Sequence, residues 1–167
     1  WISPNFVPCI IGNMAAGQVA IKFQANGPCI DVGTACATST HAIGEAYRAI
    51  KHGYADAILS GGTDKAVIPI GVAAFANAKT LSKIEDPKKA SLPFNANRDG
   101  FVMAEGSAVL MLEEYEHAKA RGAKIYAEVV GYGSTCDAYH ATAPNKEGTT
   151  QARCVCDAIS AAGFDPK

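Results

Sequence analysis

The chain has 167 residues, 49% of them hydrophobic and 19% charged, which is the mixture of a soluble globular domain with a real core. A formal net charge of -1 supplies no basic field for nucleic acid and no acidic tail. The longest apolar stretches fall far short of a bilayer span, so neither a membrane nor a nucleic acid is an expected partner.

From Gly12 to Phe23, apolar Ala16, Val19, Ala20 and Phe23 recur at helical spacing. Gly27-Pro28 breaks the chain, and CIDVGTA then reads as a short strand entering a turn of small residues. The clearest helix follows, from about Ala37 to His52, with Ile43, Ala46, Tyr47 and Ile50 on one face and Gly53 at the C-terminal cap. ADAILSGG, from Ala55, reads as a buried strand running into a Gly-Gly turn. A Gly- and Ala-rich helix spans Gly71 to Ala78, and a polar loop runs from Ser82 to Arg98. GSAVLMLEE reads as a strand, EYEHAKARG as a short helix closed by Gly122, and KIYAEVVGYGS as another strand. A last helix is expected from Thr149 to Ala162. Alternating strands and helices imply an α/β sheet covered by helices, with ARGAKI near residue 122 as a join between two halves. The chain opens on Trp1 and stops at GFDPK just after a helical pattern, and both ends are expected to be cuts from something longer.

The six cysteines do not have the spacing of a disulfide scaffold, and free thiols in a reducing cytosol are expected. Cys154 and Cys156 form a lone C-x-C without a second pair, a weak metal signal, and no metal site is expected. Asn95, Asn97, Asp99 and Gly100 imitate the front of an EF-hand loop, but its twelfth position, which needs a bidentate Glu, is Gly106. Gly61-Gly62 lacks the spacing of a phosphate loop and is explained by close backbone packing.

Cys36 stands apart. It follows Thr34 and Ala35 and precedes Ala37, Thr38 and Ser39, where an extended run becomes a helix. A strand that turns sharply into a helix presents its turn residue outward, and small neighbours permit the turn. The helix start offers unpaired N–H groups and a partial positive charge, which favour a thiolate and can hold an oxyanion in acyl transfer. A nucleophile at the base of a pocket is one reading and a buried structural cysteine the other. His140, in CDAYHATAP with Asp137 nearby, fits either a Cys/His/Asp hydrolase or a histidine satisfied within its loop. His41, His52 and His117 fall on expected helices and read as surface or core-edge residues.

Together the runs IDVGTACATSTHAIGEA, ILSGGTDKA, RDGFVMAEGSAVLMLEEYEHAKARGAKIYAEVVGYG and DAYHATAP resemble the elongating β-ketoacyl-acyl carrier protein synthases. They stand in that family's order, and the similarity extends from ISPNFVP to the last helix. The resemblance implies a thiolase-like fold of two similar α/β halves in layers. Residues 1–123 would be the later part of the first half, and 124–167 the start of the second. It makes Cys36 the nucleophile, which takes an acyl group from the phosphopantetheine thioester of acyl carrier protein and condenses it with a malonyl thioester. The backbone N–H of Cys36 would be half of the oxyanion hole.

Further positions match by resemblance only. Ala35 and Phe75 match the acyl pocket and its gate. Phe6 matches a residue reaching into the partner subunit of a homodimer, Lys79 a basic site that meets the acidic carrier protein, and Thr142 the pantetheine tunnel. The resemblance implies no cofactor of the enzyme's own, since phosphopantetheine belongs to the carrier protein, and a cytoplasmic location (plastid or mitochondrial in a eukaryote). The family also needs two further histidines, a lysine and a Gly-rich loop, all downstream of residue 167. None of the four histidines here matches either catalytic one. Polyketide ketosynthases and noncatalytic chain-length subunits share these motifs, although the latter usually lack the cysteine at this turn.

Overall fold

The computed structural model describes residues 2–165, so Trp1, Pro166 and Lys167, on which the reading of cut ends rests, lie outside the described residues. Two compact units divide the chain: one runs to Gly61 and resumes at Val109, and the other spans Gly62–Ala108.

The first unit opens with α1 (Phe6–Ile10) and α2 (Met14–Phe23). Helix α2 ends where Gln24 turns left-handed, at φ 54°. Residues 29–34 form neither helix nor strand, where the sequence predicts a strand over 29–35. A ladder needs a hydrogen-bonding neighbour, and apolar patterning alone does not provide one. A 3-10 turn, Ala35–Ala37, leads into α3 (Thr38–Lys51). The helix stops as Gly53 predicts: its φ is 74°, its N–H donates to the Ile50 carbonyl, and that of Tyr54 donates to Ala49.

Strand β1 (Ala57–Asp64) pairs with β2 (Gly106–Glu113). The Glu114 N–H donates to the Asp56 carbonyl at 2.8 Å, placing the end of β2 beside the start of β1 and making the pair antiparallel. The Gly61-Gly62 pair lies inside β1, not in the turn the sequence suggests, because ladder bonding keeps the backbone extended to Asp64. Helix α6 (Tyr115–Ala120) follows, capped by the Glu114 carboxylate on the His117 N–H and closed by Gly122 at φ 69°. α7 (Thr149–Ala161) is the last element.

Residues 124–134 also pair with no strand among the described residues, contrary to the pattern of KIYAEVVGYGS. They run between two helices. On one side the Tyr47 hydroxyl of α3 donates to the Val130 carbonyl at 3.1 Å, and Arg48 stacks over the Tyr132 ring at 4.9 Å. On the other, Gly133 lies so close to α7 that a Cβ there would collide with the Cys154 carbonyl. This segment is thus packed between α3 and α7. Among the described residues the unit's buried ones are few and mostly small: Gly44, Ala46, Ser60, Leu112 and Ala118. Large apolar side chains such as Ile30, Phe6 and Met111 remain exposed.

The second unit holds α4 (Pro69–Asn77) and the one-turn helix α5 (Pro87–Ala90), which interrupts the expected polar loop. A bridge between Leu81 and Phe101 closes that loop, and Asp99 pins it by accepting from the Lys83 N–H at 2.6 Å. The Asp99 carboxylate of the calcium-like run is thus committed to the loop backbone.

Candidate functional site

The residues around Cys36 are fixed from both sides of the turn. Ala35 adopts φ 51°, in the left-handed region, which costs a residue with a Cβ about 1–2 kcal/mol. Thr34, just before it, is gripped twice by α3. Its N–H donates to the Thr38 hydroxyl at 2.9 Å, and its own hydroxyl shares a 2.6 Å hydrogen bond with Nδ1 of His41. Each such bond contributes about 0.5–1.5 kcal/mol net, the same order as the strain it offsets. The Ala37 N–H closes the turn on the Thr34 carbonyl at 3.2 Å.

Cys36 is exposed, with its thiol free of disulfide. Its N–H makes no hydrogen bond among the described residues and points from the start of a helix. A thiol and an uncommitted N–H on one residue are the two groups that acyl transfer needs at a nucleophile. The expected turn into a helix is therefore present. The Cys36 side chain is exposed, whereas the sequence predicts a place at the base of a pocket.

The other expected site residues are spread over both units. Ala35 adjoins Cys36 on the turn. Phe6 lies exposed on α1. Thr142 lies in the loop after residue 137, where its N–H and that of Ala143 both donate to Nδ1 of His140 at 3.1 Å. In the second unit, Phe75 on α4 meets Phe101 edge-to-face at 6.2 Å. Lys79 there adopts φ 56° just past the end of α4, with its N–H on the Ala76 carbonyl.

His140 has no place in a hydrolase triad. A triad aspartate must accept from Nδ1–H, whereas Nδ1 here accepts from two backbone N–H groups. Asp137 is committed elsewhere. It accepts from the Thr150 hydroxyl, from the Asn145 N–H at 2.8 Å and from Gln151 at 2.9 Å, tying its loop to the start of α7. Those hydrogen bonds, the Thr150 hydroxyl foremost, hold its carboxyl below the usual range.

The strongest charge cluster is structural. Arg121 grips Glu113 with two nitrogens, at 2.7 and 2.6 Å, and His117 adds a 2.5 Å contact. The Arg121 hydrogen bond, opposed by burial and aided by His117, lowers the Glu113 pKa from 4.5 to about 2. This cluster ties the end of β2 to α6.

Sequence reasoning passed over His41. Its Nδ1 meets Thr34, its Nε2 lies 3.0 Å from the Ser134 hydroxyl, and its ring meets that of Tyr132 edge-on at 6.4 Å. The available signal was position: His41 lies one helical turn past Cys36, on the helix that the turn feeds.

Two family descriptions match this chain. "Beta-ketoacyl synthase, N-terminal domain" covers residues 1–118, and "Beta-ketoacyl synthase, C-terminal domain" covers 126–167. The chain belongs to the beta-ketoacyl synthase family. Among curated relatives, it is 50% identical over 166 residues to a 3-oxoacyl-(acyl-carrier-protein) synthase 2 of Synechocystis sp., covering 99% of this chain and 40% of that protein. It is 53% identical over 149 residues to the protein of that name from Vibrio cholerae, covering 89% and 36%. Among solved structures, a type II polyketide ketosynthase, bound to a hexaketide and in complex with its acyl-carrier protein, superposes with a TM-score of 0.94 at 38% identity. That match covers 99% of this chain and 41% of the other. The fold is therefore the layered α/β, thiolase-like fold of ketosynthases, and the chain spans about 40% of the length of the relatives it matches. No helix among the described residues is long and apolar enough to cross a membrane.

Proposed function

We propose that this chain carries the nucleophile of a β-ketoacyl-acyl carrier protein synthase that elongates fatty acids. The observation that carries the reading is the exposed Cys36, on a turn into α3, with its backbone N–H uncommitted. The Cys36 sulfur attacks the thioester carbonyl of an acyl carrier protein, and the oxyanion forms against the Cys36 N–H. The carbon–sulfur bond to phosphopantetheine breaks, and the carrier thiol leaves with the proton. Malonyl carrier protein then loses carbon dioxide. Its enolate carbon attacks the acyl-Cys36 carbonyl and expels the thiolate, leaving the β-ketoacyl product on the carrier. No cofactor of the enzyme's own takes part.

Around this step, Ala35 and Phe75 line and gate the acyl pocket, and Thr142 lines the pantetheine tunnel. Lys79 meets the acidic carrier protein, and Phe6 reaches into the pocket of a second subunit in a homodimer. The large apolar side chains left exposed, Ile30 and Phe6 among them, support burial against further protein. A division of the chain at 123/124 is supported by the two family descriptions, which meet between 118 and 126. The location is cytoplasmic, or plastid or mitochondrial in a eukaryote.

The TM-score of 0.94 against a polyketide ketosynthase favours polyketide extension as a second reading. Identity of 50% or more to synthases named for 3-oxoacyl products, against 38% to that ketosynthase, favours the first. A noncatalytic chain-length subunit would have no use for a thiol at residue 36.

Incubation with a labelled acyl carrier protein should yield an acyl-enzyme with the label on Cys36. Absence of that acyl-enzyme, or its persistence in Cys36→Ala, would overturn this assignment.

A further inference from the structure

His41 joins the turn before Cys36 to the segment that ends at Ser134. Its Nδ1 meets the Thr34 hydroxyl at 2.6 Å, two residues before Cys36. Its Nε2 meets the Ser134 hydroxyl at 3.0 Å, at the end of the run from 124. A neutral imidazole has one donor and one acceptor nitrogen, and a hydroxyl can serve as either, so both bonds are satisfied at once without a charge. Tyr132 fixes the ring plane from its edge. The backbone N–H of Thr34 is already held by Thr38, so the imidazole supplies the second hold on the residue that precedes the left-handed Ala35.

We propose that His41 is a positioning residue for Cys36, holding the nucleophile turn in register with the 124–134 segment so that the thiol and N–H of Cys36 face one reacting carbonyl. This rests on the reading of Cys36 as the nucleophile. The role is mechanical: Thr34 is clamped, Ala35 is kept left-handed, and the 3-10 turn presents Cys36 at the helix start. An amide at position 41 separates the two bonds. Asparagine places its polar atoms where Nδ1 lies and retains Thr34, whereas glutamine reaches the Nε2 position and retains Ser134.

The test is the iodoacetamide alkylation rate of Cys36 relative to exposed Cys29 in the same full chain, read by peptide mass spectrometry alongside thermal unfolding. In the unaltered protein Cys36 should react faster than Cys29. His41→Ala and Thr34→Val should each reduce the ratio about tenfold, toward that of an ordinary exposed thiol. His41→Asn should restore most of it and His41→Gln should not, whatever the order of their melting temperatures. An unchanged ratio in His41→Ala or Thr34→Val overturns the proposal while leaving Cys36 as nucleophile, and so does equal loss in the Asn and Ala variants. If Cys36 reacts no faster than Cys29 in the unaltered protein, the nucleophile reading falls and the proposal with it.

Discussion

Gly44 packs directly against the ring of Tyr132, so closely that a Cβ at residue 44 would fall well inside the 3.0 Å that real Cβ contacts respect. This contact sets the spacing between α3 and the extended segment, and hence where His41 meets Ser134. Gly44→Ala removes a helix-interior glycine, which alone would gain about 1 kcal/mol. Overpacking the ring costs about 1–3 kcal/mol, so the net loss runs up to about 2 kcal/mol. Denaturant unfolding of the variant measures it.

Much of this arrangement was legible in the sequence. The 3.6-residue pattern and Gly53 gave α3 its length and its stop, and the small residues around Cys36 gave the turn. That residues 29–34 and 124–134 form no ladder was not legible, because apolar alternation reports which faces are buried and not whether a ladder partner exists. Gly61-Gly62 was misread as a turn because strand pairing overrides a glycine's local freedom. His41 was not legible because its partner Ser134 lies 93 residues away, on a segment that only the fold brings to α3.

Acid should weaken the β2–α6 junction. Glu113 titrates at about 2 in the folded protein against an ordinary 4.5, so its contribution is fully present above 4.5 and is lost as pH falls toward 2. Arg121→Met removes the main cause of that shift. The variant's unfolding midpoint should therefore depend less on pH between about 4.5 and 2 than the unaltered protein's does, as a pH series of thermal melts would reveal. Parallel pH curves for the two proteins would contradict the pairing.

Lys79 occupies a left-handed position at the end of α4, where a glycine would carry no Cβ penalty. Lys79→Gly should stabilise the protein by about 1 kcal/mol. If the lysine is retained for an acidic carrier protein, the same change should weaken carrier binding, most visibly at low ionic strength. Tighter or unchanged carrier binding, measured by titration calorimetry at two salt concentrations, would remove Lys79 from the docking surface.

Asp137 and His140 belong to their loop and to the start of α7 and not to the chemistry. Asp137→Asn and His140→Ala should lower the melting temperature while leaving the Cys36 alkylation rate near its unaltered value. A selective loss of Cys36 reactivity in His140→Ala, with an unchanged melting temperature, would return His140 to the site.

The most direct test of the account is transfer of an acyl group to Cys36. The chain is incubated with an acyl carrier protein bearing a saturated acyl thioester, quenched in acid and digested, and the cysteine peptides are weighed. One acyl mass increment is expected on the Cys36 peptide, absent in Cys36→Ala and preserved in His140→Ala. An increment spread equally over Cys29, Cys36 and Cys156, or its persistence in Cys36→Ala, would contradict it.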